Sequence, residues 1–370
     1  MANNNKHTGP NVPALRFPEF SGEWEKVLLS SACEINPKTG SLDNQFLYID
    51  LESVVKGSLV KRQIIEKDGA PSRAQRVLKE NDILYQCVRP YQLNNYIFEG
   101  DTIQCVASTG YAQLRTTQFP LYIFQALHTK QFTNQVLERC TGTNYPAINS
   151  SDLGTVEVPI CSLPEQVKIG SLLALIDSRI KTQSKIIEEQ ETLLKSLADS
   201  LISSQLANMA LNDCVVARSS AMKESELENS GPFPVFGASG LCGYSNEALE
   251  ESDSILVTKD GSGVGTCQYA TGAHSFLGTL CSLTAKEGVY LPYVYYALLN
   301  FNFASFKTGL AIPHIYFKDY GKAVIYCPSY DEQVRIASGF EKIEAKIKSD
   351  KELLKQYELQ KGYLLSRMFI

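Results

Sequence analysis

Lys259-Asp260-Gly261-Ser262-Gly263-Val264-Gly265-Thr266 is the string most suggestive of chemistry, because glycine-rich turns can offer backbone N–H groups to a phosphate. A P-loop, however, needs a lysine directly before its final Ser or Thr, so that the ammonium reaches the terminal phosphates. Here Val264-Gly265 precede Thr266 and Lys259 stands ahead of the glycines, so a tight β-turn fits better. Glu344-Ala345-Lys346 matches part of a nuclease ExK triplet. It lies in a heptad-patterned stretch with no partner carboxylate on a nearby strand, and it reads as a solvated helix face. No Asn/Asp-Pro-Pro-Tyr/Phe motif for methylating an adenine amino group is present, and no glycine-rich cofactor motif follows a first Rossmann strand. The histidines His7, His128, His274 and His314 lack a Cys or Ser partner at any recognisable spacing. The ten cysteines include no CxxC pair and no His/Cys set with zinc spacing, so they read as reduced thiols of a cytosolic protein. The chain therefore reads as a recognition part, with no active site, metal or cofactor of its own.

The elements that would position recognition residues are duplicated. Residues 141–203 and 308–370 align without a gap at an offset of 167. Thr141/Thr308, Gly142/Gly309, Pro146/Pro313, Ile148/Ile315, Asp152/Asp319 and Gly154/Gly321 are identical, as are Glu165-Gln166-Val167 and Glu332-Gln333-Val334. A repeat of this length implies two copies of one structural unit. From Pro164 to about Leu206, Leu173, Ile176, Ile180, Gln183, Ile187, Gln190, Leu194, Leu197 and Leu201 alternate steps of three and four, a heptad seam. The same register predicts a second seam at Phe340, Ile343, Ile347, Asp350, Leu354, Tyr357, Lys361, Leu364 and Met368. Helices of about 40 residues need a partner. An antiparallel two-helix coiled coil within one molecule is the favoured pairing, and two independent amphipathic helices are the alternative.

The segments ahead of the helices read as short strands and turns, with strands near Phe46–Leu51, Ile83–Val88 and Ile103–Ala107 and a helix over Leu121–Arg139. Asp82-Ile83-Leu84 resembles Asp253-Ser254-Ile255-Leu256, and Pro120-Leu121-Tyr122 resembles Pro292-Tyr293-Val294, each of the last two opening a helix. The predicted organisation is a disordered segment 1–14, a domain 15–163, a long helix 164–206, a second domain 207–330 and a second long helix 331–370. No apolar run reaches the roughly 18 residues that span a bilayer. The start lacks a signal-peptide core, so a cytoplasmic protein is expected. Net charge is −5, which argues against a whole-surface nucleic-acid binder. Locally, Lys56–Tyr91 holds eight basic residues against four acidic ones, whereas the matching part of the second half is acidic around Glu224, Glu226, Glu228, Glu247, Glu250, Glu251 and Asp253.

Several stretches together resemble the specificity subunit of type I restriction–modification systems. They are Leu15-Arg16-Phe17-Pro18-Glu19-Phe20 with Trp24, then Ser72-Arg73-Ala74, Asp82-Ile83-Leu84 and Val88-Arg89-Pro90-Tyr91. Pro234–Gly240, Gly243-Tyr244 and Ile255–Gly265 come next, with Thr-Gly-x-x-x-Pro-x-Ile and Glu-Gln-Val-x-Ile occurring twice. The resemblance implies an α+β fold: two similar target-recognition domains of mixed strands and short helices, separated by two long helices that form an antiparallel coiled coil in a pseudo-twofold internal repeat. It implies a non-catalytic subunit in which each domain reads one half of a bipartite site on double-stranded DNA. The helices would set the spacing and dock two modification (methyltransferase) subunits, with restriction (translocase/nuclease) subunits joining later. S-adenosylmethionine, ATP and Mg²⁺ would belong to those partners. A coiled-coil adaptor that binds protein rather than DNA remains the rival from another class, and an enzyme with an unrecognised site is a third reading.

Arginine forks onto guanine, and Asn or Gln onto adenine. Within that reading the first-domain candidates are Arg73, Arg76, Arg89, Tyr91, Gln92, Asn94, Thr143 and Asn144, and the second-domain candidates are Ser239, Tyr244, Lys259, Ser262 and Lys307. The paired loops Thr141–Tyr145 and Thr308–Ile312 are either DNA-facing or structural turns, and the sequence leaves both open. Much of the phosphate grip is expected from the modification subunits, so the acidic second domain should bind DNA poorly alone.

Overall fold

Ile83–Gln86 is buried at all four positions, as a strand covered on both faces requires. In the structure, a computed structural model that describes residues 11–142, 144–309 and 312–370, this strand lies inside the first of two units. The first unit holds the described residues up to Ser184 together with Leu353–Ile370, and the second holds Lys185–Glu352.

The main strands of the first unit are β1 (Glu25–Leu28), β2 (Cys33–Ile35), β3 (Gln45–Ile49), β4 (Gln63–Glu66), β5 (Ala74–Val77), β6 (Ile83–Gln86), β7 (Tyr96–Ile97), β8 (Cys105–Ser108), β9 (Tyr111–Thr116) and β10 (Glu157–Ile160). β2-β9-β6-β7 form an antiparallel sheet in which Leu114 stands opposite both Ile35 and Ile83. β4-β3-β8-β5 form a mixed sheet, with β8 parallel to β3. β1 pairs antiparallel with β10. The helix expected over Leu121–Arg139 is two helices, α1 (Pro120–Ala126) and α2 (Lys130–Arg139). The break has a local cause: Thr129 leaves helical geometry and its hydroxyl caps the Phe132 N–H, starting a new helix.

The second unit repeats the plan with β11 (Met209–Ala210), β12 (Val215–Ser219), β13 (Phe233–Gly237), β14 (Gly240–Ser245), β15 (Ser254–Thr258), β16 (Cys267–Ala270), β17 (Ser275–Phe276), β18 (Leu280–Ala285) and β19 (Val324–Ile325). β12-β18-β15-β16 is antiparallel and matches β2-β9-β6-β7 strand for strand. β14-β13-β17 again contains a parallel pair, and β11 pairs with β19 as β1 does with β10.

Two long helices complete the fold. α3 covers Leu163–Ala198 and continues as one π-type turn over Asp199–Ser203; after α4 (Leu291–Leu299), α5 runs over Tyr330–Met368. Both end within a few residues of their expected limits. In the first unit the start of α3 meets the end of α5: Leu173 and Ile176 share a core with Met368, and Asp177 pairs with Lys361 at 2.5 Å. The two helix segments there are antiparallel. In the second unit both helices leave the strands, at residues 203 and 330, and meet again where Gln190 donates to Asp350 at 2.9 Å and Lys351 pairs with Glu191. Seam positions Ile176, Ile187, Leu194 and Ile347 are buried, and Ile180, Leu197, Ile343, Leu354 and Leu364 are partly so. One seam residue is displaced. Leu201 is 44% exposed and Ile202 takes its place at 2%. The π-type turn widens the helix by part of a residue and rotates its last turn.

The repeated glutamine explains the repeated motif. Gln166, 1% exposed, accepts from Phe119 N (3.1 Å) at the start of α1 and donates to Cys161 O (2.8 Å) and Gln118 Oε1 (2.8 Å). Gln333 accepts from Tyr290 N (2.9 Å) at the start of α4 and donates to Pro328 O (2.8 Å). Beside Gln166, buried Glu165 takes a bidentate contact from Arg16 (2.7 and 2.8 Å). The lead-in segment also places Trp24 against Tyr122 and Phe369. Of the stretch expected to be disordered, residues 1–10 lie outside the described residues. Residues 11–14 are ordered against the first unit, since Asn11 O accepts from Trp24 N (2.7 Å) and Pro13 is buried. No helix among the described residues is long and apolar enough to cross a membrane.

Gln166→Leu keeps the volume and removes these bonds, leaving a buried N–H and C=O unpaired at roughly 1–3 kcal/mol each. Urea unfolding should show a destabilisation of about 2–6 kcal/mol, and a midpoint within error of wild type would contradict the role assigned to this amide.

Candidate nucleic-acid interface

Between the end of β6 at Gln86 and the start of β7 at Tyr96 the chain must reverse. It does so through one 3-10 turn, Pro90–Gln92, flanked by Arg89 and Leu93, both left-handed at φ 53° and 54°. Such backbone costs roughly 1–2 kcal/mol per residue with a Cβ. The strain is held from within. Gln86, 3% exposed, donates to Val88 O (2.7 Å) and Gln92 Oε1 (2.8 Å) and accepts from Asn94 N (3.2 Å). Asn95 Oδ1 accepts from Gln86 N (2.9 Å), and Asn94 Oδ1 accepts from Lys56 N (3.0 Å).

The duplicated Thr-Gly loop docks against this turn. Arg89 N donates to Pro146 O (2.7 Å), Ile148 N donates to Cys87 O (3.0 Å), and Thr141 and Ala147 exchange two amide bonds at 2.9 Å. Gly142 has φ 90°, and a Cβ there would stand 3.0 Å from Tyr145 O. The loop sets Tyr145, 65% exposed, under the Arg89 guanidinium, 4.4 Å from the ring centroid. That guanidinium has no hydrogen bond or ion pair among the described residues.

Arg89, Tyr91, Gln92 and Asn94 thus share one turn, and Asn144 is exposed beside it. Thr143 lies outside the described residues. Arg76, on β5, sits near the Cys87 thiol, and burial pulls its pKa down while pushing that thiol up to about 11. Its Nε is buried without a partner among the described residues. Arg76 is therefore partly withdrawn from solvent, while Arg73, just ahead of β5, is exposed.

The second unit builds the same backbone clamp and carries other side chains on it. Ile315 N donates to Lys259 O (2.9 Å), Gly261 N to Pro313 O (3.1 Å), and Thr308 and His314 exchange amide bonds at 2.8 Å. Gly309 has φ 88°, and a Cβ there would collide with Ile312 O. In both units the glycine of Thr-Gly and the proline carbonyl are thus parts of the backbone clamp. Gly261 and Ile312 occupy the places of Arg89 and Tyr145. An Asp260–His314 contact of 2.5 Å replaces the apolar Val88–Ala147 bridge. The glycine-rich run is a β15–β16 hairpin: Thr258 N donates to Thr266 O and Gly265 N to Thr258 O, both 2.9 Å. It leaves Ser262 exposed and Lys259 half-buried. Ser239 and Tyr244 belong to a different hairpin, β13–β14, and Lys307 is exposed ahead of the clamp loop. Lys259 and Ser262 share one hairpin, and the turn that carries Ser239 is tied to it where Gln268 on β16 donates to Gly237 O (2.8 Å).

The other chemical strings have packing roles. Glu344 accepts from Tyr296 Oη (2.9 Å), and Lys346 pairs with buried Asp350 (2.6 Å). His128 bonds Phe124 O and Asn95, and burial lowers its pKa to about 4. His274 is buried on Ser254 Oγ (2.8 Å). Sequence reasoning did not single out Gln86, and it reached Tyr145 only as the end of the loop Thr141–Tyr145. The signals were a lone amide ending an apolar strand and an aromatic inside the repeated loop.

A family model described as the type I restriction modification DNA specificity domain matches residues 21–192 and 206–359. The specificity subunit of type I restriction enzyme HindI from Haemophilus influenzae is 24% identical over 162 residues, 42% of this chain. That alignment spans 32% of the relative, so the chain matches about a third of its length. The fold is similar to a type I restriction–modification S subunit from M. genitalium, with TM-score 0.67 at 19% identity over 97% of this chain and 99% of that one. It is also similar to a chain from a structure concerned with assembly and conformational transition of the type I R-M system, with TM-score 0.54 at 20% identity over 94% and 97%.

Gly309→Ala places a methyl group in the clamp at a backbone angle that L residues avoid, at roughly 1–3 kcal/mol. Hydrogen exchange at the Thr308 and His314 amides should accelerate more than tenfold, while amides of α5 keep their protection. Unchanged exchange at both amides would show that the clamp does not depend on this glycine.

Proposed function

The chain belongs to the family of type I restriction–modification DNA specificity domains, and from that premise we propose that it is the DNA-reading, non-catalytic subunit of such a complex. Each unit reads one half of a split site in double-stranded DNA. The long helices fix the gap and dock two modification subunits, which hold S-adenosylmethionine; restriction subunits that use ATP and Mg²⁺ join the same assembly. Compartment follows function, so the protein works in the cytoplasm where the DNA is.

One observation carries this reading. An identical backbone clamp presents Arg89 and Tyr145 in one unit and Gly261 and Ile312 in the other. A common scaffold with unlike exposed side chains suits two readers of unlike sequences, because groove contacts specify while backbone geometry positions. Stiff spacing between two readers converts into a required distance between half-sites, as it does in dimeric DNA-binding proteins. A protein-binding adaptor has no need of two differently furnished clamps.

Methylated bases mapped across a genome with and without this chain test the reading. The expected result is methylation at one split, asymmetric sequence that disappears with the chain; methylation unchanged by its removal favours the adaptor. Adding one heptad to both helices should alter the gap and leave both half-sites intact. Altered half-sites at a constant gap would exclude the spacer role.

A further inference from the structure

We infer that Arg89, stacked on Tyr145, reads a guanine in the half-site of the first unit, with Gln86 as its positioning residue; this rests on the DNA-reading function proposed above. A guanidinium offers its edge to a pair of acceptors and its face to a ring. The face of Arg89 lies on Tyr145 at 4.4 Å, and its N–H edge has no partner among the described residues. Two duplex groups match such a fork: the O6/N7 edge of guanine in the major groove and the oxygens of a phosphate.

The way the arginine is held favours guanine. A phosphate contact needs charge and tolerates a mobile side chain. Arg89 instead sits on left-handed backbone, its N–H fixed to Pro146 O and its turn braced by three bonds from buried Gln86. That bracing adds nothing to charge and everything to direction. Exposed Arg73, which sits on no such left-handed backbone, suits phosphate better. The second unit keeps the clamp yet has Gly261 and Ile312 at these two places, so the contact belongs to one half-site alone.

The assembled methyltransferase, with wild-type chain and with Arg89→Ala, Tyr145→Leu or Gln86→Leu, is assayed on duplexes randomised in both half-sites, at two salt concentrations. Arg89→Ala should lower the preference for one G·C pair in one half-site by roughly tenfold to a hundredfold and leave the other half-site unchanged. Tyr145→Leu and Gln86→Leu should relax the same pair by a smaller factor, which a general loss of folding would not do, because it lowers methylation at every sequence alike. A uniform loss for Arg89→Ala, with the salt slope reduced by about one, identifies a phosphate contact and overturns the inference. So does an unchanged preference at every position. If the wild-type complex itself shows no sequence preference, the DNA-reading function fails instead, and the guanine contact with it.

Discussion

A glutamine amide sits at the root of each long helix, and the rest of each unit is organised around it. Gln166 ties the first turn of α3 to the start of α1, and Gln333 ties the first turn of α5 to the start of α4. Only a primary amide accepts and donates together on a side chain of this length. One buried group thereby satisfies an orphan N–H at a helix start and a carbonyl of the preceding segment. Tyrosines on the tethered helices repeat the arrangement, Tyr122 Oη donating to Pro159 O (2.8 Å) and Tyr293 Oη to Tyr326 O (2.7 Å). Each helix thus leaves its unit in a direction set by hydrogen bonds, which are directional, as well as by apolar packing, which is not.

Polar interruptions of the helix seams acquire meaning from the same logic. Asp350 and Lys361 make the second seam weaker by sequence, yet each is answered. Lys361 reaches Asp177, whose other oxygen accepts from Gln125 (2.7 Å), and Asp350 takes Gln190 and Lys346. Buried polar partners penalise a slipped register, because a shift of one heptad would leave a charge unpaired in the seam. Gln183 does not fit this account: its Nε2 is buried without a partner among the described residues.

Much of the fold was legible because it rests on periodicity and duplication. The heptad positions, both long helices and the β6/β15 equivalence could be read from spacing alone. The failures share a cause: each depends on a short-range choice that hydrophobic pattern does not encode. Thr129 splits a helix through its hydroxyl, and one π-type turn moves the seam from Leu201 to Ile202. The site was legible by residue type and only partly by place. Arginine and amide chemistry pointed to the turn after β6, but burial at Arg76 and the separate hairpin of Tyr244 depend on tertiary contacts. Gln86 escaped notice because a polar residue closing an apolar strand looks like an edge, and only the folded chain shows it facing inward.

The clamp separates what must stay from what can vary. Its bonds run between backbone groups, the proline included through its carbonyl, and its one clear side-chain requirement is the glycine that reaches φ near 90°. The glycine and proline of the repeated loop therefore serve the clamp, while Tyr145 and Ile312 are exposed. Tyr145 and Ile312, or Arg89 and Gly261, can then differ completely at little cost to the fold, since neither pair contributes a bond to the clamp other than through its main chain. A protein assembled this way can change the surface it offers a ligand without re-solving the problem of holding that surface in position.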